Sequence, residues 1–202
     1  MRIKICGITS LEDAKAVVHL GADALGFVFA ESARRISPEE ARSIVNQLPP
    51  FVAKVGVFVN APLTHLRRIR DYCGLDAVQL HGEEDADYIQ TLGPGVIKAL
   101  RLNGKPLGEL PKSTLLVDAY DPKLRGGTGK QCDWQLASEL AQSRLVILAG
   151  GLSPDNVAQA INKVNPYAVD VSSGVEREPG RKDHDKIASF INNARNAASI
   201  AD

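Results

Sequence analysis

Eight short apolar runs, each followed by a segment with helical spacing, fill this 202-residue chain from end to end. The runs read RIKIC, ALGFVFA, AKVGVFV, DAVQL, GVIKAL, TLLVD, RLVILAGG and YAVDVSSG. They are rich in β-branched residues and almost continuously apolar, as expected of parallel strands covered on both faces. The intervening segments carry helix start signals: Ser10 can cap one helix, and Ser37 with Pro38 at the first helical position can open another. Eight βα units in series predict an α/β fold, a (β/α)8 (TIM) barrel forming a single domain over residues 1–202. An open doubly wound sheet is the alternative, but no GxGxxG follows the first run. The chain is short for a barrel, and the shortage falls at residues 101–113, RLNGKPLGELPKS. Two glycines and two prolines there leave room for little more than one helical turn, so the helix after strand 5 is expected to be shortened or missing.

Composition narrows the function. Apolar residues make up 44% and charged residues 24% of the chain, which argues against disorder. Lys plus Arg equals Asp plus Glu, 24 against 24, so neither a nucleic-acid coat nor a membrane surface is expected, while a local pocket for one small anion remains open. The longest apolar stretches, residues 24–30 and 145–148, are far too short to span a bilayer. Arg2 and Lys4 interrupt any apolar leader, so no signal peptide is expected. Cys6, Cys73 and Cys132 are odd in number, scattered and without a CxxC spacing, the usage of reduced thiols in a cytoplasmic protein.

In a barrel, chemistry collects at the C-terminal ends of the strands, and the loops after strands 7 and 8 commonly hold a phosphate. Cys6 closes the first run and Asp118 the sixth. A carboxylate ending an apolar run is costly to bury unpaired, so Asp118 is a candidate general acid or base; a loop cap is the other reading. Cys6 is either a reactive thiol at a strand mouth or a small buried apolar residue. As a base it must be a thiolate, which an ordinary pKa of about 8.5 makes scarce at neutral pH. Gly150 and Gly151 end the seventh run, where the sequence suggests that a helix opens at once, and Ser172, Ser173 and Gly174 end the eighth. Glycine lets backbone N–H groups close on a phosphate, and two such loops in these two places point to a phosphosugar ligand. RGGTGK at residues 125–130 looks like a P-loop but lacks its first glycine and its final Ser/Thr. It is expected to cover the mouth, with Lys130 as an anion contact.

Arg34, after the second run, could grip a carboxylate as a fork, or be a solvated loop residue. His81, after the fourth, could be an acid/base group or pair with local backbone. Asp170 in the eighth run could orient other groups or the phosphate loop. His81, Glu83 and Glu84 lack a second histidine at ligand spacing and make no convincing metal cluster. His184 is expected to start a helix. The residues together suggest a phosphosugar enzyme with one thiol and one carboxylate, no cofactor and no metal.

The combination KICGIT, GADALGFVF, VGVFVN, VQLHGEE, LLVDA, GGTGK…DW, LAGGLSPDNV and VDVSSGVE…PGRKDHDKI closely resembles the phosphoribosylanthranilate isomerases of tryptophan biosynthesis. The resemblance runs in order along essentially the whole chain, leaving only residues 101–113 without a motif. It implies an Amadori rearrangement of N-(5′-phosphoribosyl)anthranilate to 1-(2-carboxyphenylamino)-1-deoxyribulose 5-phosphate. It makes Asp118 the acid that protonates the furanose ring oxygen and Cys6 the base that removes the C2′ proton. The S-x-R spacing maps the arginine that holds the anthranilate carboxylate to Arg34 rather than Arg35, although FAESARRIS lacks a proline often seen there. Phosphate would fall to Gly150, Gly151, Ser172, Ser173 and Gly174. The expected partner is therefore a small phosphosugar; association with other pathway enzymes is not legible. Among barrels the rivals are an indoleglycerol-phosphate synthase, which would need a strand-end lysine for which Lys98 is the candidate, and a histidine-pathway isomerase, which would favour two aspartates. A non-catalytic phosphosugar-binding protein would have no reason to keep both Cys6 and Asp118.

Overall fold

A computed structural model describes residues 1–102, 111–119 and 133–199. Two expectations lie outside the described residues: the helix after strand 5 at 103–110, and the loop at 125–130 with Lys130. Eight parallel strands close into a barrel in sequence order, the eighth pairing the first from Arg2 against Ala168 to Ile5 against Val171. The strands are β1 (Arg2–Cys6), β2 (Ala24–Val28), β3 (Ala53–Phe58), β4 (Ala77–Leu80), β5 (Val96–Leu102), β6 (Thr114–Ala119), β7 (Val146–Leu148) and β8 (Ala168–Val171). Helices α1 (Leu11–His19), α2 (Pro38–Val45), α3 (Leu63–Cys73), α4 (Ala86–Leu92), α5 (Trp134–Ala141), α6 (Val157–Val164) and α7 (His184–Ser199) complete the units. Among the described residues no helix lies between β5 and β6, and none is long and apolar enough to cross a membrane.

The expected caps form. Ser10 accepts from the Asp13 amide, and Ser37 and Glu40 form a reciprocal capping box with Pro38 at the start of α2. Each such cap satisfies N–H groups that the first helical turn leaves without partners, at about 1 kcal/mol.

Side chains alternate across every strand, and the two faces differ. Ile3 and Ile5, Leu25 and Phe27, Val78 and Leu80, Val117, Val169 and Val171 join the helices in one large apolar cluster. The barrel interior has an apolar floor of Ile97, Ala99, Leu116, Ile147, Ala149 and Ala168. Buried polar residues (Lys4, Gln79, His81, Asp118 and Asp170) also belong to the inward-facing positions of β1, β4, β6 and β8 or their ends.

One local expectation needs correction. The chain after Gly151 does not open a helix at once: a turn held by Asn156, which accepts from the Ser153 amide and donates to the Gly151 carbonyl, intervenes before α6. After β8 the chain forms a one-turn 3₁₀ segment (Ser173–Val175) and a hairpin of β9 (Glu176–Glu178) and β10 (Arg181–Lys182). Pro179 and Gly180 make its turn, with Gly180 at φ +86°, a conformation glycine adopts without strain.

Candidate active site

Cys6 is the last residue of β1 and is 8% exposed. Two glycines shape its niche. Gly7 turns the chain at φ +78°, and a Cβ on Gly26 of β2 would stand 2.6 Å from Cys6 Sγ. Burial pushes the Cys6 thiol up from its ordinary pKa, and the Asp170 carboxylate adds to the rise; Lys4 and Lys182 pull the other way. Lys4 bridges the interior, its Nζ 3.0 Å from Asp170 Oδ2 and 3.0 Å from Gln79 Oε1, and also lies against the thiol. Burial would lower the pKa of Lys4, but Asp170 and Cys6 outweigh it and hold the ammonium charged.

Asp118 is the penultimate residue of β6 and is buried. Its Oδ2 lies 3.3 Å from His81 Nε2, while His81 Nδ1 is 3.1 Å from Gln79 Nε2. The His81 ring thus reaches across to Asp118, while its backbone amide donates to the Phe58 carbonyl. Glu84 turns away from His81: it accepts from the Asn60 and Gly82 amides and from Lys98 Nζ at 2.8 Å, pinning the loop that carries the histidine. Lys98 alternates with the interior residues Ile97 and Ala99, and its ammonium is spent on Glu84 and the Gly82 carbonyl.

Arg34 already holds a carboxylate of its own chain. Its Nε and Nη2 form a fork on Glu176, at 2.9 Å to Oε1 and 2.8 Å to Oε2. Glu176 also takes Lys182 Nζ at 2.7 Å. Burial raises the Glu176 pKa, but the two cations more than cancel this and hold it below the usual carboxylate range; burial lowers that of Lys182. The guanidinium edge formed by Nη1 and Nη2 is the one left for a second carboxylate.

The two glycine-bearing loops meet. A Cβ on Gly174 would come 1.9 Å from the Leu152 carbonyl oxygen, so only glycine lets the loops after β7 and β8 pack this closely. Gly150 and Gly151 both have positive φ, +78° and +68°. The Ser172 hydroxyl donates to the Cys6 carbonyl at 3.1 Å, tying the β8 loop to the end of β1. Cys6, Arg34, Asp170 and the β8 loop therefore share one end of the barrel, with His81 and Asp118 paired at the ends of β4 and β6.

A family model described as N-(5′-phosphoribosyl)anthranilate (PRA) isomerase matches residues 3–193. The chain belongs to this isomerase family. It is an enzyme, an isomerase of tryptophan biosynthesis. It is similar to N-(5′-phosphoribosyl)anthranilate isomerase of Trichlorobacter lovleyi, 52% identical over 98% of this chain and 99% of that one. The solved phosphoribosyl anthranilate isomerase of Thermotoga maritima superposes at TM-score 0.87 with 45% identity, covering 97% of this chain and 99% of that chain. A phosphoribosyl anthranilate isomerase solved in complex with reduced 1-(o-carboxyphenylamino)-1-deoxyribulose 5-phosphate superposes at TM-score 0.84 with 44% identity, covering 97% and 99%.

Four residues of the site carried no weight in the sequence: Lys4, Gln79, Glu176 and Lys182. The first two had a signal. Each is a polar residue inside an apolar run, two positions before Cys6 or His81, and so on the same face of its strand. The other two lie beyond the barrel strands, in β9 and β10, where a charged residue is unremarkable until the hairpin folds it inward.

Proposed function

We propose that the chain, as one catalytic domain over residues 1–202, rearranges N-(5′-phosphoribosyl)anthranilate to 1-(2-carboxyphenylamino)-1-deoxyribulose 5-phosphate, with Asp118 as general acid and Cys6 as general base. The cytoplasm is the compartment this reading assigns. The observation that supports it is the pairing of buried acid/base groups with strand ends: Cys6 on β1 beside Lys4, and Asp118 on β6 beside His81.

The steps balance as follows. Asp118 gives its proton to the ring oxygen as the C1′–O4′ bond breaks, and the anilino nitrogen supplies the electron pair that makes the C1′=N iminium. The Cys6 thiolate takes the C2′ proton, and the C2′–H electrons form the C1′=C2′ bond of a neutral enolamine. The enolamine gains a proton at C1′ and loses one from the C2′ hydroxyl to give the ketone. Cys6 then releases a proton and Asp118 regains one. Such acid and base contributions are typically worth 10²–10⁴-fold each.

The remaining residues position the substrate. The free edge of Arg34 receives the anthranilate carboxylate, with Glu176 holding the opposite edge so that the fork loses little freedom on binding. Backbone N–H groups of Gly150, Gly151, Ser173 and Gly174, with Ser172, take the phosphate. Asp170 balances the Lys4 charge beside Cys6.

The experiment is a fluorescence assay in which a separate transferase makes the substrate in situ from anthranilate and phosphoribosyl pyrophosphate, and chelator is then added. Wild-type protein is expected to remove the substrate signal, with Cys6→Ala and Asp118→Asn folded but nearly inactive. Turnover near wild type in either variant would remove that residue from its role. No loss of signal with wild type would reject the substrate.

A further inference from the structure

A chain of polar contacts with a fixed direction crosses the barrel interior from β1 to β6. An ammonium can only donate, so Lys4 Nζ, 3.0 Å from Gln79 Oε1, sets the Gln79 amide with its oxygen toward Lys4. The amide nitrogen, 3.1 Å from His81 Nδ1, has only protons to offer and makes Nδ1 an acceptor. A neutral His81 then carries its proton on Nε2, the atom 3.3 Å from Asp118 Oδ2. Every link follows from the one before it, and the first is fixed by the charge of Lys4, which Asp170 secures at 3.0 Å.

We propose that Lys4 and Gln79 are positioning residues that hold His81 as the Nε2–H tautomer, so that His81 donates to the carboxylate left on Asp118 when it gives up its proton. The proposal rests on the reading of Asp118 as the acid. Its physical content is differential: with Nε2 3.3 Å from Oδ2, a proton on Nε2 attracts most when Oδ2 gains negative charge in the transition state. The 3.3 Å separation is one that shortens as that charge develops. In the opposite tautomer a lone pair would face the carboxylate and oppose its formation. The same lysine lies against Cys6 and favours its thiolate, so one buried cation prepares both the base and the acid.

The ring tautomer can be read without any turnover. Protein labelled with ¹⁵N-histidine gives two-bond ¹H–¹⁵N correlations whose pattern distinguishes Nδ1–H from Nε2–H, and the His81→Asn spectrum assigns the His81 signals among the four histidines. Wild type is expected to show Nε2–H at His81. In Gln79→Glu a carboxylate faces both Lys4 and Nδ1 and can only accept, so a proton is expected on Nδ1, with kcat falling about 10²-fold and KM nearly unchanged, the lower end of a general-acid effect. Gln79→Met, of similar volume, is expected to show mixed tautomers and a smaller loss. An Nδ1–H pattern in wild type would overturn the proposal whether or not any variant folds. So would an unchanged tautomer in folded Gln79→Glu, or a switched tautomer with wild-type kcat. Failure of the underlying reading looks different: Asp118→Asn would turn over normally while the His81 pattern stayed Nε2–H.

Discussion

The outward and inward residues of the same strands carry opposite chemistry. Outward, Ile3 and Ile5 on β1 and Val169 and Val171 on β8 pack on the helices in the main apolar cluster. Inward, Lys4, Cys6 and Asp170 from those two strands pair with one another inside the barrel. Because side chains alternate at a period of two, stability and chemistry can be placed on adjacent residues with little interference. The outer layer must be apolar where it holds the helices, whereas the inner layer has an apolar floor and can carry a polar tier above it. Substitutions on the two faces should therefore fail in different ways.

The largest contrast pits Asp118→Asn against Leu25→Ala. Asp118→Asn keeps shape and volume, and is expected to lose about 10³-fold or more in kcat, within the range of general acid catalysis, with little change in melting temperature. Leu25 is fully buried between β2 and the helices. Its truncation is expected to cost roughly 2–5 kcal/mol of stability and leave kcat within about twofold in the folded protein. For a chain of this size each kcal/mol is about 2–4 °C in melting temperature, so thermal unfolding beside initial-rate assays checks both halves. A Leu25→Ala enzyme that stays folded but loses most of its kcat would break the separation of the two faces.

A smaller effect is expected where backbone meets backbone. Gly174→Ala would press a methyl group against the Leu152 carbonyl and force the two glycine-bearing loops apart. Overpacking of this kind costs about 1–3 kcal/mol. If these loops hold the phosphate, the cost should appear chiefly as a raised KM and a weaker competitive inhibition by inorganic phosphate, with kcat less changed. An unchanged inhibition constant for phosphate would remove the β7 and β8 loops from the binding role.

How much of this was legible follows from what sequence periodicity records. Eight apolar runs with helical segments between them specified the barrel, because strands covered on both faces must be apolar whatever they pair with. Cys6 and Asp118 stood out because each ends such a run, and Gly150 and Gly151 because glycine pairs mark backbone conformations other residues avoid. Lys4 and Gln79 interrupt RIKIC and DAVQL on the same face as Cys6 and His81. One polar residue in a strand reads as tolerance until its partner, 75 positions away, is known. The Arg34–Glu176 fork, 142 positions apart, and the hairpin that carries Glu176 depend on how the β8 loop folds over the barrel mouth, which no local pattern records. VQLHGEE leaves His81 between catalysis and local backbone, since nothing in it shows that its ring will meet Asp118. Ser-Pro reads as a helix opening, whereas the Asn156 side chain holds a turn that comes before α6.

The smallest effect is a shift in the titration of Cys6, and its sign is what matters. Burial and Asp170 raise the thiol pKa while Lys4 and Lys182 lower it, and the balance lies above the ordinary value. In the free enzyme Cys6 is thus expected to alkylate slowly at pH 7 and faster as pH climbs through and beyond the usual thiol range near 8.5. Lys4→Met removes a cation that favours the thiolate, so the midpoint should move to higher pH. Asp170→Asn removes an anion that opposes it, so the midpoint should move to lower pH. Iodoacetamide labelling read by mass spectrometry of the Cys6 peptide separates it from Cys73 and Cys132. Opposite displacements from neighbouring, mutually paired residues cannot come from a general loosening of the barrel, which would expose Cys6 and lower the midpoint in both variants. Displacement in the same direction would therefore assign Lys4 and Asp170 to packing and leave the inner tier without a charge-tuning role.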